Sequence, residues 1–222
     1  MKSKKKIIKI AIDSPAAAGA GTVAKKISKY FNLLYLDTGK IYRILALYKS
    51  KNNDKFNYTF IRKKIRRLTI KDLQNKNLLN DKIGIEASII AKNKKIRQIV
   101  HNFQLKCAYK FPKKFNGSCL DGRDITYKII PDADFKFFIT ASTNVRAKRR
   151  FKELKKLGRK VSYNDVLKSI KKRDYSDYNR RFSPLKKTND SILINTSNLT
   201  KKACFFKIKN IIETKIKKNG NI

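Results

Sequence analysis

The loop of small residues between Ser14 and Thr22 is the first segment whose residue types point to chemistry. It reads SPAAAGAGT and follows the apolar run IIKIAI. Small side chains let backbone N–H groups approach an anion closely, and a helix that starts directly after such a loop points its N-terminus at the same place. The pattern predicts a phosphate-binding loop, although a tight strand-to-helix turn without a ligand fits the same residues.

Arginine is the second feature. Only 13 of the 56 basic residues are Arg, and a guanidinium can bind a phosphate through two parallel hydrogen bonds where an ammonium acts as a point charge. The arginines that fall in short motifs are Arg43, Arg97, Arg123, Arg146, Arg149, Arg150, Arg173, Arg180 and Arg181. They are candidates for binding phosphate, with surface ion pairs as the alternative. Arg62, Arg66 and Arg67 have the spacing of a solvated helix face.

A parallel α/β sheet is the architecture that would bring these groups together. The chain opens with a strand over 7–12, the small-residue loop, a helix from about Ala20 and a second strand over 33–36. Strands that alternate with helices in this order are typical of parallel sheets. Thr38 then has the position of a helix cap.

The remaining elements follow the same alternation. A polar, Asn-rich stretch over about 49–116 is expected to decorate the core and to contain one helix over 89–108. SCLDG, FKFFIT and SILIN are the later strand candidates. Helices are predicted around Val145 and Leu154, from Tyr163 to about Tyr175, and from Leu199 to Ile216, the last with an apolar face.

Length and composition exclude several classes of protein. The chain has 222 residues, 41% of them hydrophobic, which is enough for one compact domain with a core. No apolar run approaches the roughly 20 residues of a membrane span, and the N-terminal run is too short for a signal peptide. We therefore expect a cytoplasmic protein without a membrane partner. The widely spaced Cys107, Cys119 and Cys204 argue against a disulfide framework or a cysteine metal cluster.

The formal charge of +40 raises the hypothesis of nucleic-acid binding. Lysine is spread over nearly every segment, whereas a nucleic-acid module more often concentrates charge on one face with interleaved aromatic residues. A bias of composition fits this distribution better. We expect loose, salt-sensitive contact with polyanions and no specific nucleic-acid partner.

Several motifs together carry a family resemblance. IAIDSPAAAGAGTVAKK, YLDTGKIYR, GRDI, IIPDADFKFFITAS, VRAKRR and KKRDYSDYNRRFSPLK resemble the bacterial cytidylate kinase family in order and spacing, from about Ile7 to Ile216. The resemblance implies a P-loop nucleoside-monophosphate-kinase fold in a single domain, with a parallel sheet flanked by helices. Its core would span about 1–48, 117–147 and 185–222, with an acceptor-binding insertion over about 49–116 and a short lid over about 148–184.

The same resemblance implies an activity. ATP would give its γ-phosphoryl group to CMP and dCMP, with Mg²⁺ bound mainly by ATP oxygens and water. Such a transfer needs two polyanions held in line and their charge neutralised, with water excluded. The enzyme would act as a monomer.

The resemblance also implies site residues. The ATP-binding residues would be Ser14, Pro15, Ala16, Ala17, Ala18, Gly19, Ala20, Gly21 and Thr22. Those for the acceptor would be Asp37, Thr38, Tyr42, Arg43, Ser88, Arg97, Arg123, Asp124, Arg173, Asp177 and Arg180. Catalytic arginines would be Arg123, Arg146, Arg149 and Arg150, with Asp121 holding a water on magnesium.

Roles divide within this set. Arg43, Arg123 and Arg180 would hold the acceptor's phosphate, and Arg173 with Asp177 would face its sugar. The latter pair also has the i, i+4 spacing of an ordinary helical ion pair, and the lid arginines also fit a basic helix surface. A plain helix cap explains Thr38 equally well.

Base recognition by Ser88, Arg97 and Asp124 is chemically consistent. Cytosine offers an amine donor at N4 and acceptors at N3 and O2, which suit a carboxylate and a guanidinium. Uracil would place a carbonyl oxygen against Asp124, which costs a few kcal/mol in a desolvated pocket.

Position 20 departs from the phosphate-loop pattern. The G-x-x-x-x-G-K motif places Lys there to reach the β- and γ-phosphates, and Ala20 cannot do so. Loss of one preorganised donor costs about 3 kcal/mol. Lys25, Lys26, Lys40 or the Lys4–Lys6 run could supply the charge instead, and Lys40 stands where the family usually has a small residue.

Two more departures lie in the same motifs. Ser14 replaces the first Gly of the loop, which would strain it, and Thr126 follows GRDI where Gly is usual. A weakened or repurposed kinase homologue therefore stays open as an alternative, and a polyanion-binding protein is the less favoured one.

Overall fold

A parallel sheet forms the centre of the protein. In a computed structural model that describes residues 7–219, the strand order is β2-β3-β1-β4-β5 and every pairing is parallel. The strands are β1 (Ile8–Asp13), β2 (Leu34–Asp37), β3 (Gly117–Gly122), β4 (Phe135–Thr140) and β5 (Ile192–Asn195). The Lys4–Lys6 run and the outer ends of the predicted core, at 1–6 and 220–222, lie outside the described residues.

Helices connect and cover these strands. They are α1 (Ala20–Tyr30), α2 (Gly39–Lys51), α3 (Tyr58–Arg66), α4 (Asp81–Ile90), α5 (Lys94–Tyr109), α6 (Thr143–Lys156), α7 (Tyr163–Asn179) and α8 (Lys201–Asn219). Short 3₁₀ turns lie at Asn53–Lys55, Asp72–Gln74 and Lys76–Leu79, and a π-helical turn lies at Ile125–Ile129. The fold class is the predicted α/β sheet flanked by helices.

Strand β1 shows how the core is divided. Side chains of successive strand residues point to opposite faces, so Ile10 and Ile12 pack with α1 and α8 through residues such as Ile27 and Ile208. Ala11 instead belongs to the cluster that includes residues of α2, α3, α4 and α5. Each fully buried Ile or Leu contributes about 1.5–3 kcal/mol, and both faces of the sheet are covered.

A smaller apolar cluster joins α6 to α7. Ala147 and Leu154 of α6 pack against Val166 and Ile170 of α7, which are spaced so that each pair lies on one helix face. This cluster holds the two helices of the predicted lid region together. No helix within residues 7–219 is both long and apolar enough to cross a bilayer.

Two local predictions were wrong. The helix predicted over 89–108 is interrupted: Ile89 and Ile90 end α4, and α5 starts anew with Asn93 as its cap, accepting from the Ile96 N–H at 3.1 Å. Thr38 makes no side-chain cap at α2: its backbone is helical (φ −67°, ψ −24°) rather than extended as at a usual N-cap. Its hydroxyl donates instead to the Asp121 carbonyl at 2.9 Å.

Candidate functional site

A cavity of about 720 Å³ opens at the carboxyl ends of the central strands. This is where ligands bind in open parallel sheets. The predicted site residues in its lining are Ser14, Pro15, Ala17, Ala18, Gly19, Ala20, Gly21, Thr22, Asp37, Thr38, Tyr42, Arg43, Ser88, Arg97, Asp121, Arg123, Asp124, Arg149, Arg150, Arg173, Asp177 and Arg180. Ala16 and Arg146 lie outside the lining.

Two carbonyl groups and one N–H group hold the small-residue loop in place. Arg146 Nη1 donates to the Ala16 carbonyl at 2.9 Å, and Thr196 Oγ1 donates to that of Ala18 at 3.2 Å. The Ser14 N–H donates to the Gly122 carbonyl at 3.1 Å. Since carbonyls are engaged in these contacts, later N–H groups of the loop and of the first helical turn remain to meet an anion.

In the small-residue loop, the left-handed backbone conformation falls on Ala17 and Gly19 and not on Ser14. Ala17 has φ of 60° and Gly19 has φ of 86°, whereas Ser14 has no positive φ. The prediction that Ser14 strains the loop was therefore wrong, because Ala17 takes the left-handed conformation, at about 1–2 kcal/mol for a residue with a Cβ.

The N-terminus of α1 is open. Gly19 provides no side-chain cap, and no acidic residue lies in the first turn. Ala20 begins the helix and is almost fully buried. Its methyl group carries no charge. Anion binding here depends on the backbone dipoles of the helix and loop.

Asp177 organises the arginines at the other end of the cavity. Its carboxylate accepts from Arg123 Nε at 2.7 Å and lies 3.6 Å from Arg180 Nη1. Burial alone would raise the pKa of Asp177, but these arginines outweigh it and hold the pKa below the usual range. The alternative interpretation of Arg173, an ordinary i, i+4 ion pair with Asp177, is not found among the described residues.

Arg173 and Arg180 have unmet hydrogen-bonding capacity. Arg173 Nε and Arg180 Nη2 are buried without a hydrogen-bond partner among the described residues. Burial, reinforced by the charges of Arg123 and Arg43, lowers the pKa of Arg173 to about 10. Buried donors without partners are costly, and a bound anion would satisfy both the charge and the hydrogen bonds.

Arg43 is placed by residues that the sequence did not single out. Its Nη1 donates to the carbonyls of Leu78 and Asn80 at 2.7 and 3.2 Å. A Cβ on Gly84 would lie 2.8 Å from Arg43 Nη2, so only glycine leaves room for the guanidinium in this position. Nothing in the local pattern around Gly84 predicts a contact with a side chain from α2.

Arg97 and Asp124 form a buried ion pair that lines the cavity. Arg97 also donates from Nη1 to the Ala91 carbonyl at 3.2 Å, and its guanidinium lies 5.5 Å from the centre of the Tyr42 ring. Ser88 Oγ donates to the Gly84 carbonyl at 3.1 Å. A carboxylate and a guanidinium side by side present an acceptor and donors to a flat polar ligand.

Tyr42 and Asp121 carry buried oxygens without hydrogen-bond partners within the described residues. Burial raises the pKa of Tyr42 to about 12. Burial together with the nearby Asp37 raises the pKa of Asp121 well above its usual range, while Arg123 and Lys40 act in the opposite direction. Asp121 is the next-to-last residue of β3 and lies beside Gly21 of the small-residue loop, so its unpartnered Oδ1 could accept from a ligand or a water.

The three lid arginines differ in their contacts. Arg146 is buried and pairs with Asp174 at 2.6 Å, while Arg149 donates to the Thr196 hydroxyl and carbonyl at 2.9 and 2.6 Å. Arg150 Nη1 lies 2.9 Å from Glu153 Oε2. Arg146 is therefore placed to fix the loop, whereas Arg149 and Arg150 face the cavity.

Further residues of α6 that the sequence did not single out also line the cavity. Lys152, Glu153 and Lys156 line the same cavity as Arg149. Their spacing of three, four and seven residues from Arg149 puts them on one helix face. That spacing was the available signal, but the abundance of lysine hid it.

Comparison with known proteins identifies relatives of this architecture. The sequence profile described as "Cytidylate kinase" matches residues 10–214. A protein named cytidylate kinase from Clostridium botulinum (strain Okra) is 41% identical over 217 residues, covering 93% of this chain and 98% of its own. A protein of the same name from Mesomycoplasma hyopneumoniae (strain 7448) is 39% identical over 225 residues, covering 95% and 96%.

A solved structure shares the fold. An uncharacterised protein from Eubacterium ventriosum superimposes with a TM-score of 0.54 at 18% identity, covering 94% of this chain and 99% of the other. At that identity the likeness extends to the fold alone.

Proposed function

The chain belongs to the cytidylate kinase family, and from this premise we propose that it transfers the γ-phosphoryl group of ATP to CMP and dCMP. One observation carries the proposal. A single cavity has an anion-binding loop at one end and, at the other, an arginine cluster beside the Arg97–Asp124 pair. Two phosphorylated ligands could therefore meet inside it.

The acceptor's phosphate would bind where donors are unmet. Arg123 and Arg180 are oriented by Asp177, and Arg173 Nε and Arg180 Nη2 lack partners within the described residues. Arg43 lines the same region. Guanidinium groups fixed in advance need no reorganisation when charge moves, which is the largest source of catalysis in reactions of this type.

The acceptor's base would be read by the Arg97–Asp124 pair. Asp124 would accept from the N4 amine of cytosine, and Arg97 would donate to N3 or O2. Uracil would bring a carbonyl oxygen towards the Asp124 carboxylate, which disfavours UMP. Asp177 and Arg173 would face the sugar, where Asp177 already has arginine partners.

The donor's phosphates would lie on the loop Ser14–Thr22, with Arg149 and Arg150 approaching from α6. When bound with ATP, magnesium would neutralise charge on the β- and γ-phosphates. The residues present fit an ion held mainly by ATP and water, because Asp121 Oδ1 is buried at this edge without a partner. It would accept a hydrogen bond from a water on that ion.

In the reaction, an oxygen of the acceptor's phosphate forms a bond to the γ-phosphorus while the bond to the bridging oxygen of ATP breaks. ADP leaves, and CDP or dCDP remains. The protein's part is to hold the two ligands in line and to exclude water. We also propose that one chain suffices, because every residue invoked lines a cavity of a single chain; light scattering at assay concentration would test this.

The decisive test is turnover by the purified protein with ATP and magnesium. ADP release should be rapid with CMP and dCMP, slow with UMP and AMP, and near background without an acceptor. Equal turnover of CMP and UMP would contradict the role of Asp124. Tight CMP and ATP binding in calorimetry without ADP release would instead identify a weakened kinase.

A further inference from the structure

A buried carboxylate connects the two ends of the cavity without lining it. Asp13, the last residue of β1, is fully buried. Its Oδ1 accepts from the Ile125 N–H at 2.8 Å, and its Oδ2 accepts from the Thr126 N–H at 2.9 Å and the Thr126 hydroxyl at 2.6 Å. Ser14, the next residue, begins the phosphate loop.

These bonds act at the start of a helical turn. Ile125 and Thr126 are the first residues of the π-helical turn, and Asp124 is its N-cap residue. The side chain of an N-cap residue normally accepts from the N–H of the second or third residue of its helix. Asp124 makes no such cap, and the N–H of the second residue, Thr126, is bound to Asp13 instead.

The consequence is that the Asp124 carboxylate is not engaged by its own helical turn. It pairs with Arg97 and lines the cavity, where the proposed function requires it to meet the acceptor's base. Without Asp13, the Thr126 N–H would lose its partner, and the Asp124 side chain could accept from it as an ordinary N-cap, away from Arg97.

We propose that Asp13 is a positioning residue for acceptor recognition: it caps the turn after Arg123 and Asp124, and so releases the Asp124 carboxylate to read the base. This inference rests on the proposed function. It extends to Thr126, whose hydroxyl is the third donor and holds the cap in place.

Calorimetry of CMP, UMP and ATP binding to four proteins would test it. These are wild type, Asp13→Asn, Thr126→Val and Ser28→Ala. The last is a matched control, since Ser28 Oγ makes a buried hydrogen bond to the Ala24 carbonyl at 2.7 Å within α1. Thermal unfolding of each protein shows which variants fold. If Asp13→Asn does not fold, the affinities of Thr126→Val alone test the inference.

We expect the Kd for CMP to rise about tenfold in Asp13→Asn and about threefold in Thr126→Val, as for loss of a hydrogen bond to a buried charged group. The preference for CMP over UMP should fall in step, while the Kd for ATP stays within twofold. Ser28→Ala should match wild type. Unchanged CMP affinity in both folded variants, or equal weakening of ATP and CMP, would overturn the inference.

Failure of the proposed function would look different. Wild-type protein that binds ATP but neither CMP nor dCMP would refute the function, and with it the role given to Asp13. Wild type that binds and phosphorylates CMP, with variants that do so equally well, would refute only the role of Asp13.

Discussion

The acceptor half of the cavity, defined by Arg43, Arg97, Arg123, Arg173 and Arg180, and its donor half, the loop Ser14–Thr22, meet anions with different kinds of groups. The acceptor half uses guanidinium groups, several held by buried carboxylates. The donor half uses backbone N–H groups and a helix N-terminus, with a methyl group at position 20.

The difference shows how each half stays ready for its ligand. Clustered guanidinium groups repel one another, so carboxylates such as Asp177 must hold them, and burial lowers the pKa of Arg173 to about 10. Backbone dipoles need no counter-charge, but they give a smaller field than a lysine would. Changes in the acceptor half should therefore have larger effects than changes in the donor half.

Removal of Arg123 should have the largest effect. Arg123→Ala deletes a cavity-lining cation and leaves Asp177 with one fewer partner, so we expect kcat/KM for CMP to fall about a thousandfold. Steady-state ADP release measures it. The exposed Arg159→Ala is the control for loss of one arginine and should behave as wild type; a loss below tenfold in Arg123→Ala would remove Arg123 from the acceptor half.

Lys40 tests whether the donor half has a side-chain cation after all. Lys40 is half-buried in the first turn of α2, and its charge opposes the rise in the pKa of Asp121, which lies beside the loop. If it replaces the missing lysine, Lys40→Ala should lower kcat about a hundredfold, and adding Ala20→Lys should restore it. The matched control is Lys29→Ala, which removes an exposed lysine from the last turn of α1. No loss of activity in Lys40→Ala ends this role.

Asp124→Asn should change selectivity more than rate. An amide can present a donor to the uracil carbonyl, so the ratio of kcat/KM for CMP to that for UMP should fall about tenfold to a hundredfold. Parallel assays with both acceptors give this ratio. An unchanged ratio would mean that Asp124 serves only to hold Arg97.

The smallest expected effect is the pH dependence of folding stability that Asp13 causes. Burial raises the pKa of Asp13 from 3.8 to about 6, against the hydrogen bonds from Thr126 and Ile125 and with a small further rise from Asp124. The folded chain thus binds this proton more tightly than the unfolded one. The stabilisation is complete below about pH 3.8 and is lost as pH rises through about 6.

Wild type should therefore gain about 1 kcal/mol relative to Asp13→Asn between pH 7 and pH 5. Urea unfolding of both proteins at the two pH values measures the difference. A difference that does not change with pH would show that Asp13 does not titrate in this range.

Local pattern predicted the donor half better than the acceptor half. The loop Ser14–Thr22 and the helix after it depend on neighbouring residues, and the structure has both. Helical spacing offered Arg173, one turn away, as an alternative ion-pair partner for Asp177, but Asp177 pairs with Arg123, which is 54 residues distant in sequence. Such partners depend on how β3 and α7 pack, and no local spacing encodes that.

The same limit explains two other outcomes. Thr38 has the sequence context of a cap, yet its hydroxyl donates to the carbonyl of Asp121, 83 residues away in sequence. The sequence around Gly84 gives no reason for a glycine there. The reason is the guanidinium of Arg43 from α2, which occupies the space that a Cβ on residue 84 would need. The arginines of the site could be predicted from the sequence because arginine is scarce in this chain. The carboxylates and carbonyls that hold them could not, because they come from distant parts of the sequence.

The position of β1 in the sheet has a consequence for synthesis. Its two neighbours, β3 and β4, begin at Gly117 and Phe135, so at roughly 5–20 residues per second β1 waits several seconds on the ribosome for its first partner. An unpaired apolar strand can meanwhile associate with another nascent chain. The positive charge of such chains, part of the +40 of the full chain, would hold them apart by mutual repulsion, so the lysine-rich composition would reduce their association before folding.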